Sequence, residues 1–163
     1  MTEQADARVQ RNEAPSPAVD TSRLTRLAGY AASRAAIQLR KAFQRHVGPL
    51  QLTVVEFSVL VLVASNPRLN QKRLGAALDL SAPSLAVILD RLAERGLVLR
   101  VRSTVDRRAQ QLQLTPAGRA LTERAEDIAA TMESDTLAVL SPAERALLIE
   151  LLLKVARLPP ARG

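Results

Sequence analysis

The stretch VLRVRSTVDRRAQQLQLT, residues 98–115, decides how the rest of the chain is read. Residues 97–102 and 110–114 alternate between apolar and polar side chains, the period of a strand with one buried face. Between them lies a loop carrying Asp106, Arg107 and Arg108. The pattern predicts a β-hairpin with a basic tip, in a chain whose other segments read as helices.

Immediately upstream the sequence predicts two helices joined by a tight turn. Asn70 is placed to cap QKRLGAAL, Asp79-Leu80 makes the turn, and Ser81 caps APSLAVILDRLAER. Pro83 is tolerated because it falls in the first turn, and Gly96 suits a left-handed stop. A short helix followed closely by a longer one is the helix-turn-helix pattern. With a hairpin directly after it, the unit becomes a winged helix. The second helix fits the major groove of duplex DNA. Arginine at the wing tip suits the strong negative potential of a narrow minor groove, and a neighbouring aspartate can hold it in one pose.

The flanks supply the other helices. Residues 21–47 read as one long helix with Leu24, Leu27, Ala31, Ile37 and Phe43 along an apolar stripe. It carries Arg23, Arg26, Arg34, Arg40, Lys41 and Arg45 and no acid. Thr53-Val-Val-Glu56 has capping-box spacing, which turns FSVLVLVA, strand-like when taken alone, into a buried helix that stops at Asn66-Pro67. Thr115-Pro116 opens a helix running to about Leu140, and Ser141-Pro-Ala-Glu144 opens the last one. That last helix has Leu147, Leu148, Ile149, Leu151, Leu152, Leu153 and Val155 around most of its circumference. A helix apolar on all sides needs cover on all sides, which points to a second copy of the chain. Its region, 121–158, is richer in acids than in bases and so complements the basic first helix.

Composition removes several classes. The 163 residues suffice for one domain with a real core, and 47% are apolar. Aromatic side chains make up only 2%, too few for a base-stacking platform. A net charge of +7 favours an anionic partner. No apolar run is long enough to span a bilayer, and residues 1–20, polar and containing Pro15 and Pro17, read as a mobile tail rather than a secretory signal. Zero cysteines exclude disulfides and thiolate metal sites, and the cytoplasm is the expected compartment. No glycine-rich phosphate loop or triad setting is present, so no enzyme and no cofactor is expected.

LGAALDLSAPSLAVILDRLAERGLVLRV (74–101) and DRRAQQLQLTPAG (106–118) together resemble the MarR family of bacterial transcription regulators, over roughly residues 21–157. The resemblance implies a mostly α fold: a winged helix-turn-helix lobe at 50–115, and a dimerisation lobe from the terminal helices at 21–47 and 116–158. It implies that Asp106 and Arg108 form the wing-tip pair, with the more variable Arg107 between them. Ser81 and Ser84 match the polar start of the family's recognition helix, and Arg91 and Arg95 lie farther along it, within reach of phosphates. Family members often have Ser or Thr and then Arg where this chain has Ala86-Val87. The helix is therefore poor in donors, and Val87 is suited to a thymine methyl.

The resemblance also implies a small phenolic or carboxylate effector bound where the first helices meet the winged lobe. Candidates for that site are Tyr30 and Arg34, one helical turn apart, with His46 and Phe57. Each has a plainer reading. Tyr30 and Arg34 can serve packing and an inter-subunit ion pair, His46 can cap its helix, and Phe57 can be core. Ser81 can be only an N-cap, and Arg107 and Arg108 only a solvated turn. The expected function is a homodimeric regulator, a repressor that binds a pseudo-palindromic double-stranded operator and is released by an aromatic carboxylate or its thioester. The alternative is a basic nucleoid- or RNA-binding protein without an effector.

Overall fold

The computed structural model describes residues 19–102 and 110–159, so the tail expected at 1–20 lies almost wholly outside the described residues. The chain divides into two compact units, residues 1–35 and 36–163. In the first, α1 (Ser22–Thr25) is a single turn, and α2 (Ala28–His46) begins after a break. One continuous helix over 21–47 was expected, so this is a correction. Its local cause is visible. The Thr25 hydroxyl donates to the Ser22 carbonyl at 3.1 Å, and Leu27 N–H reaches back only three residues, to the Leu24 carbonyl. Such short-range bonds compete with the four-residue ladder of an α-helix.

The second unit holds the winged lobe. Its order is the end of α2, then α3 (Val54–Ser65), α4 (Gln71–Leu78), α5 (Ala82–Glu94), β1 (Val98–Arg102), β2 (Gln110–Leu114), α6 (Pro116–Thr136) and α7 (Pro142–Val155). Each predicted N-cap forms. Thr53, Asn70, Ser81, Thr115 and Ser141 all accept a backbone N–H three residues on, and Thr53 and Ser141 complete capping boxes with Glu56 and Glu144. The strand-like run after Thr53 is a helix because that box fixes its first turn, and it lies at the centre of the lobe, against α6, β2 and α4. α6 stops at Thr136, a turn short of the expected end. The chain closes a tight turn at Leu137–Leu140, and Ser141, directly before Pro142, is extended as that position requires.

The core runs through every element of this lobe except α7. Val59, Leu60 and Val63 of α3 meet Leu74, Leu85, Leu89 and Leu92 of the helix-turn-helix, Val98 and Leu112 of the hairpin, and Ala125 of α6. The strands pair antiparallel, Val98 opposite Leu114 and Arg102 opposite Gln110. Leu112 N–H also donates to the Leu69 carbonyl at 2.8 Å, which ties the base of the wing to the loop before α4. Two glycines permit this layout. Gly96 ends α5 with φ of 67°, a left-handed conformation that costs other residues more. Gly118 lets α6 start against the hairpin, since a Cβ there would lie 2.0 Å from the Leu97 carbonyl oxygen.

Candidate nucleic-acid interface

The second helix of the helix-turn-helix, α5, buries Leu85, Leu89 and Leu92 and turns its other face outward. The outward face begins with two serines. The Ser81 hydroxyl accepts the Ser84 N–H at 3.3 Å, and the two hydroxyls share a hydrogen bond of 2.8 Å. Both side chains stay exposed with lone pairs to spare. One turn on, Val87 is 56% exposed, an apolar side chain turned largely to solvent. Such a face offers one or two hydroxyls and a patch of carbon, suited to phosphate and to a pyrimidine methyl.

The far end of the same helix is tied inward. Arg91 lies 3.8 Å from Glu56, whose carboxylate is buried and also takes the Thr53 N–H and hydroxyl at 2.9 Å each. Arg95 donates through Nη1 to the Gln51 carbonyl at 2.8 Å and through Nη2 to that of Leu50 at 3.4 Å. Arg91 is thus engaged with the first turn of α3 and Arg95 with the segment before it. Asp90 accepts from Arg100 of β1 at 2.7 Å, which links the recognition helix to the wing. The wing-tip candidates Asp106, Arg107 and Arg108 lie outside the described residues.

A cleft of about 660 Å³ opens beside the start of α3, lined by Arg40, Phe43 and Gln44 of α2, Gly48 and residues 51–55. It presents one guanidinium, one aromatic ring, the two amides of Gln44 and Gln51 and the Thr53 hydroxyl. The Phe43 ring packs on Phe57 at 5.5 Å, so Phe57 backs this wall from the core side. His46 lines a different hollow, with Asp127, Thr131 and Asp135. Tyr30, half-buried, and Arg34, exposed, belong to the first unit. From the sequence, Phe43 read as part of the apolar stripe and Arg40 as one of the helix's bases, and neither they nor Gln44 were expected at the effector site. The available signal was spacing: Arg40 and Phe43 stand three apart and so share a helix face. The Asp90–Arg100 and Arg95–Gln51 ties had no such signal, because their partners are distant in sequence. Among the described residues no cluster of acids and histidine is placed to hold a metal ion, and no helix is long and apolar enough to cross a membrane.

This arrangement has close parallels. A model of the MarR family matches residues 52–109. The transcriptional regulator HosA of Escherichia coli O157:H7 is 31% identical over 123 residues, covering 72% of this chain and 91% of HosA. The chain belongs to the MarR family. A Thauera aromatica protein described as a transcriptional regulatory protein for the hcr operon is 37% identical over 101 residues, 62% of this chain and 61% of that protein's length. Among solved structures, the transcriptional repressor CouR bound to a 23-mer DNA duplex superposes with a TM-score of 0.80 at 37% identity, over 85% of this chain and 99% of CouR. CouR bound to p-coumaroyl-CoA gives 0.77 at 36% identity, over 86% and 99%. This MarR-family chain is a transcriptional regulator, and the hairpin after its helix-turn-helix is the family's wing.

Proposed function

We propose that the chain acts in the cytoplasm as a homodimeric repressor of a pseudo-palindromic operator, released when an aromatic carboxylate or its thioester enters the Arg40–Phe43 cleft. The observation that carries the DNA half is the outward face of α5, where Ser84 and Val87 are exposed while Asp90 fixes the wing strand beside them. In a two-fold dimer, two such helices meet successive major grooves about 34–36 Å apart. Ser81 and Ser84 serve phosphate or base edges, Val87 a thymine methyl, and Asp106 orients Arg108 into the minor groove with Arg107 beside it. The exposed leucines of α7 are the surface a second subunit covers.

The effector half rests on the cleft's chemistry. Arg40 offers a cationic fork to a carboxylate or phosphate, and Phe43 a face for an aromatic ring. CouR, which binds p-coumaroyl-CoA, is a neighbour in fold and in sequence. An occupant releases DNA only by favouring a spacing of recognition helices that no longer matches the grooves.

The test is a titration with duplex selected from a random library. Arg108→Ala is expected to weaken binding by about 1–3 kcal/mol, as loss of a specific groove contact does. Unchanged affinity refutes the wing assignment. Affinity equal for selected and random duplex instead supports a basic nucleoid-type binder without an operator. Loss of binding on adding p-coumaroyl-CoA or a free aromatic acid supports the effector reading, and indifference to the whole panel opposes it.

A further inference from the structure

The two arginines in the last turns of the recognition helix bind residues 50, 51 and 56, which include or flank the 51–55 wall of the Arg40–Phe43 cleft. Arg95 grips the Leu50 and Gln51 carbonyls as a two-pronged fork. Gln51 lines the cleft and has φ of 56°, a left-handed conformation that a residue with a side chain rarely adopts without support. Two residues on, Thr53 also lines the cleft. Its hydroxyl and N–H both bind the Glu56 carboxylate, which is 4% exposed and faces Arg91 across 3.8 Å. Arg91 and Arg95 stand one helical turn apart, so both ties leave from one side of α5. The Glu56 carboxylate is buried while the Arg91 guanidinium is largely exposed, so the second tie is sensitive to displacement: a buried charge loses heavily when its partner withdraws.

We infer that Arg95, with Arg91 through Glu56, acts as a strut between the cleft and the recognition helix, and that these two side chains carry cleft occupancy to the DNA-reading face. They are positioning residues, not phosphate contacts. The strut rests on the reading of the cleft as the effector site and adds the route by which that site acts. A ligand that pushes on Gln51 or Thr53 moves the carbonyls and carboxylate that hold the arginines. Rotating or tilting α5 by a small amount then displaces Ser84 and Val87 at its far end. A planar fork bridging two carbonyls is a task lysine cannot copy, although lysine keeps the charge.

The chain has no cysteine, so Gln44→Cys provides a unique attachment point inside the cleft, and bimane attached there fills it whatever the natural effector is. Full-length Gln44→Cys protein, with and without the label, is titrated against its selected duplex. The label is expected to weaken binding about tenfold, within the range usual for coupled sites. In the Arg95→Lys and Arg91→Gln backgrounds the same label is expected to weaken it by less than about threefold, the non-additivity that defines coupling. An equal loss in all backgrounds overturns the strut and leaves the cleft as an effector site. No loss in any background overturns the cleft reading and the strut with it. Independently, unlabelled Arg95→Ala is expected to keep the parent's salt dependence of DNA binding, whereas a slope lower by about one overturns the positioning role, because that is the mark of a lost phosphate contact.

Discussion

The winged lobe and α7 are built from similar side chains and end in opposite situations. Leu60, Leu74, Leu85 and Leu92 are fully buried within the lobe, while Leu147, Leu151 and Leu152 of α7 remain about half exposed and Val155 is 83% exposed. No residue of α7 is buried. The difference lies in partners. α3 is apolar all round and has α4, α6 and the hairpin to cover it, whereas α7 is apolar all round and, among the described residues, meets little beyond the end of α6. A leucine in the lobe stabilises the monomer fold. A leucine in α7 stabilises only an assembly.

That contrast can be broken at either end. Leu60→Ala should have the largest effect, about 3 kcal/mol of folding stability from lost burial and the cavity left behind. Its loss in a urea titration should not depend on protein concentration. Leu151→Glu should leave the lobe's far-ultraviolet circular dichroism unchanged and weaken self-association by roughly 2–3 kcal/mol, since it places a charge where a partner must dry the surface. Light scattering would show monomers at concentrations where the parent is dimeric, and operator binding would fall with them. A parent protein that is already monomeric and still selective for its operator contradicts the comparison. The smallest effect concerns the cap of α7. The Ser141 hydroxyl and backbone N–H hold the Glu144 carboxyl below its usual value of 4.5. A lowered folded value means stability that is complete above about 4.5 and lost as pH falls through the folded value. Acidifying from pH 5 towards 3 should therefore fray the start of α7, a change that amide exchange at residues 142–145 can follow and that Glu144→Gln should largely remove.

Local chemistry was legible in the sequence because it acts over three or four residues. The caps at Thr53, Asn70, Ser81, Thr115 and Ser141, the left-handed Gly96 and the pairing of 98–102 with 110–114 all follow from neighbours along the chain. The break between α1 and α2 was missed for a related reason. An apolar stripe continues through 24–31, and the periodicity outweighed the pull of Thr25 towards the Ser22 carbonyl. The candidate site was less legible. Phe43 could be read as stripe and Arg40 as charge, but nothing in their spacing said that they would face a cleft opposite Gln51 and Thr53.

By itself the sequence determined the order of helices and hairpin, the family, and the presence of one helix too apolar to stand alone. Only the tertiary structure showed what Arg91 and Arg95 lie against. As letters on a recognition helix they are two more cations facing DNA. In the folded lobe they lie against Glu56 and against two carbonyls more than forty residues earlier in the chain. A guanidinium goes where its donors are best satisfied, and that choice depends on which acceptors the fold brings within reach, a fact no local pattern encodes.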